Sequence, residues 1–381
     1  MSKLRLLVLI LCLIAISFLA PNSISAQGGD PPVIQITDND ARDIGGRWSP
    51  DGTKLTFMST RDGEDTEIYI MDADGSNVVQ VTDNDFGDYG GWWSPDGTKL
   101  IVTSEPEGES IAYLMDLDGS NITQIVPDTA GFTSTSGATY SPDEQWFMFR
   151  GKQEGSDITK LYIMNVAEEE IIPLTGDDDG TIIGADWSAD GTQIVYSADG
   201  DGDYEIYVMD VDGSNVSQLT DNDSKDSNPQ SSPDGTRLAF ISNRDGDDEI
   251  YIMDVDGSNV YQLTHNDRYD ANPHWSPDST KIAFGSNGDG DYEILIMDLS
   301  EWTPPSCEVS AGSVVNLRSG PGTTYDIAGT LAAGDTVPVV GQALASDGFV
   351  WWQLSAETWV RSDVVNSNGY CDNVPEVAVA E

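Results

Sequence analysis

The chain has 381 residues, 66 of them acidic and 17 basic, giving a net charge of −49, and 38% are hydrophobic. Such a surface repels nucleic acid and anionic membranes, and it suits cations, basic proteins or a salty milieu. Excess Asp also keeps a secreted protein soluble, so charge alone does not choose a partner.

Residues 1–26 read as an export signal: Lys3 and Arg5, an apolar run over 6–20, then small residues at Ser23, Ser25 and Ala26. The run is short for a membrane span, and Cys12 within it has bulky neighbours instead of a lipoprotein cleavage site. The mature chain is expected to be extracytoplasmic (secreted, periplasmic or at the cell surface), without a membrane span. It keeps Cys307 and Cys371, an even pair that an exported chain is expected to join in a disulfide.

After a Gly/Pro opening, a stretch beginning W-S-P-D-G recurs, with its anchor position at Trp48, Trp93, Tyr140, Trp187, Ser231 and Trp275. Spacings of 45, 47, 47, 44 and 44 residues are those of propeller blades, each repeat being one four-stranded sheet. The first strand ends at the anchor and is turned by S-P-D-G, where Pro presets φ and Asp-Gly accepts the turn. Next come two apolar strands, such as Lys54-Leu55-Thr56-Phe57-Met58 and Glu67-Ile68-Tyr69-Ile70-Met71, then a fourth of form V-x-Q-[LV]-T. Near-continuous apolar runs imply strands covered on both faces. The sixth repeat stops at Leu299 without its fourth strand, while an orphan strand at 33–37 matches the fourth strands elsewhere. The orphan is expected to close the ring, leaving no free edge at the seam. The fold class is therefore all-β, with a six-bladed propeller over residues 33–299.

These repeats resemble those of TolB-like six-bladed β-propellers, in which W-S-P-D-G and [IL]-Y-[VI]-M-D-x-D-G recur. The resemblance implies the fold and leaves function open, because this architecture hosts binding, scaffolding and hydrolase-capping roles. A stiff linker, 300–306, leads to residues 307–371, where V-N-L-R-S-G-P-G-T-T-Y from Val315 and T-W-V-R from Thr358 resemble the bacterial Src-homology-3-like domain. That resemblance implies a small all-β barrel, often used to hold cell-wall peptide or other extracellular ligands. Cys307 and Cys371 bracket it, and a bridge there would add about 4 kcal/mol by the chain-entropy argument. Trp351 and Trp352 are adjacent on a strand, so one of them must be buried; core and ligand groove are both open for these two and Trp359. A short tail, 372–381, follows.

Catalytic motifs are missing. The chain has no G-x-S-x-G nucleophile elbow, only two histidines, His265 and His274, and after removal of the export signal no free cysteine once the bridge forms. His274 stands in a column with Arg47, Trp92, Thr139, Asp186 and Gln230, which reads as ordinary strand positions. Two acidic constellations stand out. The turn carrying Asp199, Asp201, Asp203 and Glu205, and its counterpart carrying Asp289, Asp291 and Glu293, alternate oxygen side chains on a Gly-loosened loop, as calcium requires. The same sequences also make ordinary hairpin turns. Five residues before the anchors stand Asp43, Asp88, Asp226 and Asp270, expected at the mouth of the central channel. They read either as a cation or basic-peptide site or as a hydrogen-bonded rim. The expected function is an exported, non-catalytic binding or scaffold protein, its propeller holding a protein or peptide partner and its barrel a cell-wall or other extracellular ligand. Calcium is the one candidate ion. The alternatives are a secreted glycan-active hydrolase or lyase and a calcium-dependent surface adhesin.

Overall fold

The computed structural model describes residues 23–24, 30–304 except 64, 201 and 289, 307–368 except 356–357, and 374. Five of the six repeats each fold into a four-stranded antiparallel sheet, and the sixth contributes three strands to a five-stranded one. In blade one, Asp43–Trp48 pairs with Lys54–Ser59, that strand with Glu67–Asp72, and the last with Val79–Gln80. The middle strands are buried along nearly their whole length because each blade is sandwiched. Leu55, Phe57, Tyr69 and Met71 pack against Ala283, Ile294 and Ile296 of blade six, while Met58, Ile68 and Ile70 pack against Leu100, Val102 and Met115 of blade two. Each such side chain withdrawn from water contributes about 2 kcal/mol, which is why these runs are apolar on both faces.

The S-P-D-G turns lock themselves. Ser49 Oγ donates to Asp51 Oδ1 at 2.6 Å, and the same oxygen accepts the Thr53 amide at 3.0 Å. Gly52 adopts φ +70, a left-handed conformation, and its Cα faces Pro277 of blade six, so the turn also packs against the neighbouring blade. Fourth strands are shorter than the sequence predicts, two paired residues in most blades, because the next residue turns inward. Val81, for example, is buried while its amide still donates to Ile68 O at 2.8 Å. Blade three is the irregular one, with first and second strands Phe132–Tyr140 and Trp146–Gln153 longer than those of the other blades.

The missing strand of blade six is supplied from the other end of the ring. Val33–Gln35 pairs with Glu293–Asp298, with Val33 opposite Met297, Ile34 opposite Ile296 and Gln35 opposite Leu295. Ser23–Ile24 pairs in turn with the outer side of that strand. The rest of the expected leader lies outside the described residues.

Residues 308–368 form the second unit, a three-stranded and a five-stranded sheet. Trp352 packs with Cys307, Val309 and Val360, while Trp351 and Trp359 pack with Ala343 and Ala345. All three tryptophans are buried, Trp352 in the larger core and Trp351 with Trp359 in a smaller separate cluster. Cys307 is buried in that interior; Cys371 lies outside the described residues. No helix among the described residues is long and apolar enough to cross a membrane.

Candidate functional site

Asp43, Asp226 and Asp270 are 0% exposed and Asp88 is 1% exposed. The structure places them inside the junctions between blades, below the rim where the sequence suggests them. Each is one part of a repeated arrangement. Asp88 Oδ2 accepts from Asn84 Nδ2 at 2.7 Å, and the Asn84 amide donates to Glu67 Oε1 at 2.9 Å. Thr82 Oγ1 donates to the other oxygen of Glu67 and accepts from the Ile68 amide at 2.9 Å. Glu67 opens the third strand of blade one and Asp88 the first strand of blade two, so the network ties the two blades through the T-D-N-D loop. Glu205, Asn222 and Asp226 repeat it, as do Glu249, Asn266 and Asp270, and across the seam Glu293, Asn39 and Asp43. Two of the aspartates also hold an arginine: Asp43 takes Arg61 at 2.7 Å and Asp226 takes Arg244 at 2.8 Å. The remaining junctions have no such triad. Ile111 and Thr135 stand in the Glu and Asp positions at one, Lys160 and Ile182 at the other.

The carboxyls of these glutamates are displaced upward. Burial pushes Glu205 up to about 7 against the lowering effect of its hydrogen bonds to Thr220 and Asn222. Glu67, Glu249 and Glu293 move the same way, again chiefly through burial, with Asp88, Asp270 and Asp43 respectively adding repulsion.

Glu205 and Glu293 therefore serve the junctions, each with Oε1 on a loop amide, at 2.7 Å for Asn222 and 2.8 Å for Asn39. Of the other residues in the two Asp-Gly turns, Asp199 Oδ1 accepts the Thr181 amide at 2.6 Å, and Asp203 and Asp291 are half-buried. Asp201 and Asp289 lie outside the described residues. Carboxylate oxygens gather in the equivalent turn of blade five, where those of Asp245, Asp247 and Glu249 lie within 4.8 Å of one another. Arg244 stands where the other two turns have a glycine, Gly200 and Gly288, which masks the pattern in the sequence.

What the four junctions leave at the surface is the rest of the T-D-N-D loops. Asp38 and Asp40, Asp83 and Asp85, Asp221 and Asp223, and Asp267 are exposed. Four consecutive junctions of the ring carry them, so they form one arc on one end of the propeller.

The axis of the ring has a different character. First strands of all six blades, with a few neighbours, line a cavity of about 370 Å³. Arg47, Trp92, Gln230 and His274, the column just before the anchors, face it together with Arg150. In the sequence this column reads as ordinary strand positions because its members share no residue type. The usable signal was that strongly polar or bulky side chains occupy a position facing no neighbouring blade.

A sequence profile for the TolB β-propeller domain matches residues 89–198 and 159–304, and one for the bacterial SH3 domain matches 313–366. No curated protein sequence matches the chain. Among solved structures, a TolB-type protein from Agrobacterium tumefaciens is 23% identical with a TM-score of 0.53, over 70% of this chain and 96% of that one. TolB from Acinetobacter baumannii is 20% identical with a TM-score of 0.52, over 68% of this chain and 63% of its own. An oligogalacturonate lyase from Vibrio parahaemolyticus is 15% identical with a TM-score of 0.52, over 74% and 97%. At these identities the likeness is one of fold.

Proposed function

Because the chain belongs to the TolB β-propeller domain family and carries a bacterial SH3 domain, we propose that it is an exported, non-catalytic binding or scaffold protein whose propeller docks a basic protein segment. The observation that carries this reading is the exposed arc at Asp38, Asp40, Asp83, Asp85, Asp221, Asp223 and Asp267. Repeated single-sign charge on one end of a rigid ring attracts an opposite partner and orients its approach. The buried Asp43, Asp88, Asp226 and Asp270 hold the arc in place and make no contact with the partner. Divalent cations compete for the same face, with the blade-five group of Asp245, Asp247 and Glu249 as the best-assembled calcium candidate. The SH3-like barrel, closed by a Cys307–Cys371 disulfide, supplies the second attachment, to cell-wall or other extracellular material. An oligogalacturonate lyase shares the propeller fold, which supports a glycan-active alternative only weakly at 15% identity.

Calorimetric titration with a ten-residue oligolysine tests the main reading. Asp→Asn at positions 83, 85, 221 and 223 should weaken binding about tenfold or more at low salt. The same number of changes at the opposite end, at Asp51, Asp74, Asp212 and Asp256, should leave it nearly intact. Equal losses from both variants would show that net charge, not the arc, attracts the peptide. Repeating the titration with calcium and with chelator reads the competition directly.

A further inference from the structure

In a chain so rich in carboxylates, most surface cations find one: Lys54 pairs with Asp72, Lys99 with Asp116, Arg61 with Asp43 and Arg244 with Asp226. Arg47 and Arg150 do not. Both line the axial cavity, and among the described residues neither guanidinium has a carboxylate within ion-pair distance. Glu105 also lines the cavity, but its Oε1 accepts from Ser110 Oγ at 2.9 Å and it pairs with neither arginine.

The guanidinium hydrogen bonds of both arginines go to backbone carbonyls. Arg47 Nη1 donates to Gly90 O at 2.6 Å, and Arg150 Nη1 donates to Ile183 O. Room for the second is made by Gly137, where a Cβ would lie 2.8 Å from both Nε and Nη2 of Arg150. The Arg47 guanidinium lies over Trp92, 4.2 Å from the ring centroid, and His274 meets the same indole edge-on at 5.0 Å. His274 Nδ1 is 3.0 Å from Gln230 Oε1, so Gln230 fixes the ring. Arg47 is 9% exposed and His274 6%, yet Arg47 Nε and His274 Nε2 are buried without a hydrogen-bond partner. Buried polar atoms left unpaired are costly, and two like charges facing one cavity add repulsion. Burial and the Arg150 charge depress Arg47 to about 9, and burial with the Arg47 charge holds His274 neutral, so the cationic character is that of the arginines.

We propose that the axial cavity binds a carboxylate group, carried by a compact organic acid or by the free end of a peptide chain. Guanidinium forks match the planar two-oxygen geometry of a carboxylate. Met58, Trp92, Ile183 and Pro273 beside them accept an apolar body. A net charge of −49 disfavours multiply charged anions, since each added negative charge multiplies the repulsion on entry. This goes beyond the acidic-arc reading: the ligand has the opposite charge and other residues hold it, so either reading can fail alone.

The test uses the full-length protein and four probes at low ionic strength: benzoate, its neutral analogue benzamide, inorganic phosphate, and a short peptide ending in Phe as the free acid or the amide. Calorimetry gives the affinity for each probe. Benzoate should bind at least tenfold more tightly than benzamide and than phosphate. Binding of the acid peptide but not its amide would extend the site to chain ends; benzoate binding alone would restrict it to small acids, and both results support the proposal. Arg150→Gln should weaken benzoate at least tenfold. Arg150→Lys keeps the charge but loses the fork and should fall between the wild type and Arg150→Gln. Benzamide matching benzoate, phosphate exceeding it, or folded Arg150→Gln binding benzoate like the wild type would each overturn the proposal.

Discussion

Asp226 meets no solvent, and its Oδ2 accepts from two donors, Asn222 Nδ2 at 2.8 Å and Arg244 Nη2 at 2.8 Å. Removing the arginine leaves a buried carboxylate with one neutral partner. Arg244→Ala should therefore lower stability by about 3 kcal/mol in urea unfolding. Lys54→Ala, which breaks the exposed pair with Asp72, should cost less than about 1 kcal/mol. At this scale the sequence puts these aspartates at the start of the innermost strand, where they stand, and at a solvated rim, whereas they are buried. Position five before the anchor does lead into the innermost strand, but the T-D-N-D loop folds over it. The clue was co-occurrence: Glu, Asn and Asp are present together at four junctions and absent together at Ile111/Thr135 and Lys160/Ile182. Residues that vary as a set are partners, whereas a solvated rim imposes no such coupling. Arg47 and Arg150 were illegible for another reason. They lie on different strands of different blades, and only ring closure brings them to one cavity.

Between blades, the four glutamate junctions give the ring a pH response whose sign is fixed. An acid whose folded pKa lies above its unfolded value binds more protons folded than unfolded between the two, so stability falls as pH rises through that window. For Glu205 the window runs from about 4.3 to about 7, and Glu67, Glu249 and Glu293 act in the same direction. Asp51 and Asp278, held down to about 2 chiefly by hydrogen bonds from Ser49 and Ser276, oppose this only below about pH 4. The melting temperature should be roughly 5 °C higher at pH 5 than at pH 8. The difference should persist in high salt, where surface repulsion is screened, and Glu205→Gln should remove roughly a quarter of it. Strand identities were legible because covered blades demand apolar runs of fixed period. The truncated fourth strands were not, since V-x-Q-[LV]-T looks the same whether its last residues stay in the ladder or turn in, as Val81 does.

For the whole molecule the decisive contact is the seam, where Val33–Gln35 completes the sheet of Glu293–Asp298 and the Asn39 amide reaches Glu293. Deleting residues 30–40 removes this ladder and one junction together. The melting temperature should fall by roughly 10 °C, and a peptide of the deleted sequence added in trans should restore part of the loss. The matching gap and spare strand made this pairing readable, because a ring must end where it begins. It also sets the order in which the protein can come into being. The first segment of the propeller to leave the ribosome has its partner among the last, more than 250 residues later. Until then blades one to five can stack in sequence, each on the one before, while the opening strand waits as an unpaired edge. Contacts this distant along the chain form slowly and leave such edges open to wrong pairing. Blade six must therefore emerge before the first strand is safe, and the aspartates of its T-D-N-D loop, Asp38 and Asp40, place charge beside the edge that waits until then.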